Sequence, residues 1–124
     1  MATAGAIKVT ISGSVDNGNL DVSFSPGQVS VEQRRALAHS PIVSVGTSEE
    51  DMPVGDIVTL GWVVIQNLDA TNFIKYGPKN AGSMVEFGRL KAGEMIALRL
   101  EPGITWTWIA DTAACLAHVD LWND

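Results

Sequence analysis

Apolar and polar residues alternate along most of this chain, and a period of two suits a β-strand rather than a helix. In IKVTISGS (7–14), Ile7, Val9 and Ile11 fall on one side and Lys8, Thr10 and Ser12 on the other. Asn17-Gly18 follows as a hairpin signal, because its turn positions accept positive φ. LDVSF (20–24) returns with Leu20, Val22 and Phe24 inward, and Pro26-Gly27 breaks it. QVSVEQRRALAHSP (28–41) reads as a strand and an irregular link, with one turn of helix in EQRRALAH as the alternative. PIVSVGTSEEDMPVGD (41–56) holds a short strand and an acidic loop. IVTLGWVVIQNL (57–68) reads as one strand bent at Gly61, and with both faces of 62–65 apolar it is expected to be central. NFIKYG (72–77) is the next strand, GPKNAGS (77–83) a loop, and MVEFGRL (84–90) a strand with Val85 and Phe87 inward. EMIALRLE (94–101) puts Ile96, Leu98 and Leu100 inward and Ala97 and Arg99 outward. ITWTWIA (104–110) and AACLAHVDLW (114–122) close the chain.

About nine or ten short strands with turn signals every 8–12 residues predict an all-β fold. The expected form is a single antiparallel, jelly-roll-like β-sandwich over residues 7–124, with residues 1–6 as a short extended N-terminal segment. The chain's 124 residues suit one domain with a sizeable core. A 46% hydrophobic and 18% charged composition excludes general disorder. The net charge of −6 disfavours nucleic-acid binding, which draws on clustered Lys and Arg; Arg34-Arg35 is the one adjacent basic pair. A single cysteine, Cys115, leaves no internal disulfide. MATAGAIKVT shows no signal-peptide pattern, and no apolar run reaches the roughly 18 residues of a membrane span. A soluble protein made in a cytoplasm, with no membrane partner, is expected.

Chemistry-bearing residues are few. Glu49, Glu50, Asp51 and Asp56 are dense enough to consider a Ca²⁺ site, but their spacing differs from the alternating acidic Ca²⁺ loop, and a solvated loop is the simpler reading. His118 and Asp120 share one face of the last strand with Leu116 and Trp122. A His beside a carboxylate can be part of a triad, but Cys115 falls on the opposite face, so a polar outer face or subunit contact is the plainer reading. His39, far off in sequence, adds little to a metal reading. Trp106 and Trp108 share a face, either as core or as an exposed platform for sugar rings or a partner. Trp106, Trp108, His118, Asp120 and Trp122 are the candidate interface residues; no catalytic residue, metal site or cofactor is assigned, and no enzymatic activity is expected. Cys115 reads as a buried, inert thiol.

SVGTSEE, GWVVIQNLDATNFIKYG and RLKAGEMIALRLEPGITWTWIADTAACLAHVDLW, all within Ser44–Asp124, carry a resemblance. A strand ending in NLD, a YG-like turn, an L-x-x-G-E turn into an apolar strand, and ADT before an acidic C-terminus are similar to small β-rich virion proteins of tailed bacteriophages. The resemblance spans about two-thirds of the chain, and none extends to residues 1–43. It implies a virion structural protein, foremost a capsid cement or decoration protein. Such a protein would sit as a homotrimer on the outer capsid surface and clamp neighbouring copies of the major capsid protein. A tail or fibre component binding a receptor or glycan is the alternative.

Overall fold

The computed structural model describes residues 5–33, 38–39 and 41–123. All regular structure among them is β, and the chain divides into two compact units, Met1–Arg35 and Ala36–Asp124. The sequence expectation is a single sandwich over residues 7–124.

The first unit holds two two-stranded antiparallel sheets. β1 (Gly5–Thr10) pairs antiparallel with β4 (Gln28–Gln33), and β2 (Gly13–Asn17) with β3 (Leu20–Phe24). Gly5 and Ala6 therefore belong to a paired strand; residues 1–4 of the expected extended segment lie outside the described residues. Asn17 pairs with Leu20, so Gly18 and Asn19 form the turn, one position beyond the expected Asn17-Gly18. Gly18 takes φ +59°, a backbone region that glycine enters without the Cβ penalty. Between the two ladders, Ile11-Ser12 on one strand oppose Ser25-Pro26-Gly27 on the other, a one-residue bulge.

The second unit is a sandwich of two antiparallel sheets, one strongly curled. Its strands are β5 (Ala38–His39), β6 (Ile42–Val45), β7 (Glu50–Asp51), β8 (Leu60–Asn67), β9 (Ile74–Asn80), β10 (Ser83–Met84), β11 (Gly88–Leu90), β12 (Met95–Arg99), β13 (Trp106–Ala110) and β14 (Cys115–Asn123). One sheet runs β12-β8-β14, with β5 and β6 along the far edge of β14 in one unbroken register. The other runs β7-β13-β9, with β10 and β11 along the far edge of β9.

β8 and β14 are the centre of the first sheet. Along β14, Cys115, Ala117, Val119, Leu121 and Asn123 are buried, and the residues between them are half-buried or exposed. Along β8, Gly61, Val63, Ile65 and Asn67 are buried. The central place expected for this strand holds, although its other face, Trp62, Val64 and Gln66, is only half-buried. Ile74, Tyr76, Leu90 and Trp108 face these residues from the second sheet and complete the core. Such side chains each contribute about 1.5–3 kcal/mol on burial.

The edge after β9 departs from the expected pattern. The strand continues through Gly77 and Pro78 to Asn80, and the turn contracts to Ala81-Gly82 with φ of 54° and 84°. The return is then broken by a bulge at 85–87, where the Val85 N–H donates to the Pro78 carbonyl and the Phe87 N–H to the Tyr76 carbonyl. Val85 and Phe87 are 48% and 68% exposed, against the expectation that both are buried, although the Phe87 ring still lies on the side of Tyr76 and Trp106, at the open edge of the sheet. Gly77 makes the bulge possible, since a Cβ there would lie 1.8 Å from the Val85 carbonyl oxygen.

Asn67 ends β8 and is fully buried. Its Nδ2 donates to the carbonyls of Asn72 (2.9 Å) and Leu90 (3.0 Å), and its Oδ1 accepts the Asp69 N–H (2.9 Å). Leu90 belongs to the opposite sheet, so one amide ties the sheets together at this corner. Asp69 Oδ2 then accepts the N–H groups of Thr71 (2.9 Å) and Asn72 (2.6 Å), closing the turn.

Three predictions follow from this corner and the bulge. Asn67→Ala leaves two buried carbonyls without their donor and is expected to cost about 3 kcal/mol, read as a lower urea midpoint. Gly77→Ala is expected to cost a similar ~2–3 kcal/mol, through overpacking against backbone that cannot retreat. The Asn72 and Thr71 N–H groups hold the Asp69 carboxyl below its ordinary 3.8. Its stabilising contribution is therefore complete above pH 3.8 and is lost as pH falls through the lower folded-state value. Urea midpoints taken from neutral to acidic pH are expected to fall less steeply in Asp69→Asn than in the wild type.

Candidate functional site

The five candidate interface residues occupy two separate places. Trp108 lies on β13 in the core at 1% exposure, which corrects its assignment as a surface contact. The cause is parity: Trp108 and Ala110 point inward, and Trp106, on the same side but at the strand's start, emerges half-buried at the edge of the core. Thr107 is buried as well, its hydroxyl donating to the Gly77 carbonyl at 2.9 Å.

His118, Asp120 and Trp122 lie half-buried on the outward face of β14, as alternation predicts. His118 Nε2 stands 3.5 Å from Asp120 Oδ1. Across this face His118 aligns with Gln66 and Ile42, and Asp120 with Val64. Cys115 faces the opposite way and is fully buried, so the His–Asp pair has no access to its sulfur. Burial, followed by the charges of Asp69 and Asp111, pushes the Cys115 thiol above its ordinary value. His39 pairs through its backbone with Leu121.

The acidic residues are used one at a time. Glu49 accepts the Met84 N–H (3.1 Å), Glu50 accepts the Gly46 N–H (3.3 Å), and Asp51 pairs with Lys79 (3.1 Å). Glu50 and Asp51 form β7 against Trp108 and Thr107 rather than a free loop. Among the described residues, no three His, Cys, Asp or Glu side chains converge on a metal position.

Sequence reasoning missed a third place. Phe87, Trp106 and Tyr76 form an aromatic cluster with ring centroids 6.2–6.4 Å apart, Phe87 and Trp106 meeting edge to face. Burial raises the Tyr76 phenol above its ordinary pKa, with Glu94 adding to the shift. Beside Trp106 a cleft of about 350 Å³ is walled by Val54, Val58 and Ile104, with Asp51 and Glu101 also lining it. Val58 is 82% exposed and Ile104 42%, so with Phe87 the apolar surface runs from the cleft across Trp106. Groups of exposed apolar side chains of this kind mark binding surfaces more often than singly scattered ones. Its visible signals in the sequence are Trp106 and Tyr76; Phe87 reads there as a core residue and is 68% exposed.

Comparison with protein-family models, with curated proteins and with solved structures finds no match to this chain. The burial of Cys115 gives a direct test of its assigned role. A thiol reagent such as DTNB is expected to react with the native protein only at the rate of unfolding, and at once in denaturant. Prompt reaction under native conditions would contradict a sealed thiol.

Proposed function

We propose that this protein is a non-enzymatic structural component of a phage virion. In this reading it is a cement or decoration protein that binds the outer capsid surface and clamps neighbouring copies of the major capsid protein. The observation that carries the binding role is the exposed apolar surface of Val58, Ile104 and Phe87 around Trp106. An interface core rich in aromatic residues and poor in charge has this composition. Glu101 at the cleft suits a partner whose contact carries Lys or Arg around an apolar centre. The buried polar groups support the same reading: Asn67, Thr107 and Asn123 each donate to a backbone carbonyl and so hold the chain in place. The virion assignment itself rests on the resemblance of residues 44–124.

The mechanism is mass action. A protein that binds the assembled lattice better than free subunits stabilises the assembled state. Repetition around a shell strengthens retention without any single tight contact.

The edge-to-face pair of Phe87 and Trp106 favours one second reading, a tail or fibre component whose aromatic platform stacks on a sugar ring. Co-sedimentation with shells of the major capsid protein separates the two. Val58→Ser with Phe87→Ser is expected to reduce binding at least about tenfold, the 1.4 kcal/mol or more typical of an interface anchor, at unchanged melting temperature. Undiminished binding would overturn this surface as the contact. Failure of the wild type to bind shells, together with quenching of tryptophan fluorescence by added sugars, would favour the tail reading.

A further inference from the structure

The sandwich has four sheet edges, and three are blunted in recognised ways. β7 is two residues long and wholly acidic. The β10–β11 edge is broken by the bulge at 85–87. The β5–β6 edge carries Pro41, which has no N–H to offer a further strand. β12, with the sequence MIALR, carries none of these devices: it has no proline and no bulge, and its register against β8 runs without a break from Met95–Gln66 to Arg99–Trp62. β12 is the terminal strand of its sheet, paired among the described residues with β8 alone.

The hydrogen-bond phase of this edge can be read from its ends. The Leu100 N–H donates to Gly61, and the Asn67 N–H donates to Glu94, both in the β12–β8 register. Bonded and non-bonded pairs alternate in an antiparallel ladder. Ile96 and Leu98 therefore turn their backbone groups toward β8, and Met95, Ala97 and Arg99 direct theirs to the outer edge.

We infer that this edge pairs with β12 of a second copy, antiparallel about a two-fold axis at Ala97, to make one sheet continuous through both protomers. The register is set by the chain itself. A two-fold normal to the sheet keeps inward residues inward, so odd positions must meet odd positions. With Ala97 opposite Ala97, Met95 meets Arg99 and Arg99 meets Met95, and all three outward-directed residues are paired. Sliding by two residues leaves one of the three without a strand residue opposite it. In the matched register Ile96 lies opposite Leu98 on the side that packs on the core, and both are partly buried already. Charge fits as well: Arg99 faces Met95, Glu94 faces Leu100, and no charged residue of the strand opposes its like. Main-chain bonds supply the attraction and the alternating side chains the specificity, as in other strand additions. This symmetry differs from the trimer that the virion resemblance implies, and the inference does not depend on that resemblance.

Sedimentation of the full chain tests it. The wild type is expected at twice the monomer mass. Ala97→Pro removes an outward N–H that β8 does not use and is expected at the monomer mass, since an edge strand tolerates proline there. Ala97→Lys keeps the N–H but sets like charges face to face, and it too is expected to be monomeric. Mixing the Lys variant with Ala97→Glu is expected to restore the doubled mass, which a merely destabilised fold would not do. A wild type at the monomer mass or at three times it, or a mixture that stays monomeric, would overturn the inference.

Discussion

The buried amide of Asn67 is the interaction on which the sandwich depends. It sits where β8 ends, and its two N–H groups hold carbonyls on the loop to β9 and on β11 of the opposite sheet. Its backbone is engaged as well, donating to Glu94 and accepting from Gly93 at the turn into β12. Three connections are thus gauged from one residue. An apolar residue of the same size would fill the space and leave the carbonyls unpaired, which costs more than the packing returns. The stretch GWVVIQNLDATNFIKYG is accordingly a strand, a hydrogen-bonded corner and a second strand, with Asp69 closing the turn that Asn67 anchors.

Bulges do the rest of the shaping. In the first unit, one extra residue at 25–27 separates the two ladders. In the sandwich, the bulge at 85–87 interrupts the edge along β9, and Gly77 leaves room for it. Phe87 stands exposed at that edge, with its ring against Tyr76 and Trp106.

These two bulges also mark what the sequence could convey. Alternation located the strands, and β14 follows it residue by residue, as does β12 with Ile96, Leu98 and Leu100 turned inward. Composition and turns were enough for the all-β class. Alternation gives the face of a residue but not its distance from the open edge of the sheet, and so Phe87 and Val85 are exposed where burial is expected. Nor can it tell which of two tryptophans on one face lies deep: Trp108 and Trp106 differ only in their distance from the strand's start. The role of Asn67 was hidden for a different reason, because an Asn in NLD reads as a turn residue and its partner Leu90 is distant in sequence. The surface beside Trp106 was equally invisible, since Val58 and Ile104 come together only when the sheets pack.

The picture is of a scaffold whose polar chemistry is turned to holding its own backbone, and whose outward apolar groups are left for partners. Its central functional claim is a place in many copies on a capsid. Immunogold electron microscopy of purified particles, with antibody raised to this chain, tests that claim most directly. The account predicts label spread over the head in many copies. Label confined to the tail or its tip, or absent from intact particles, would contradict it.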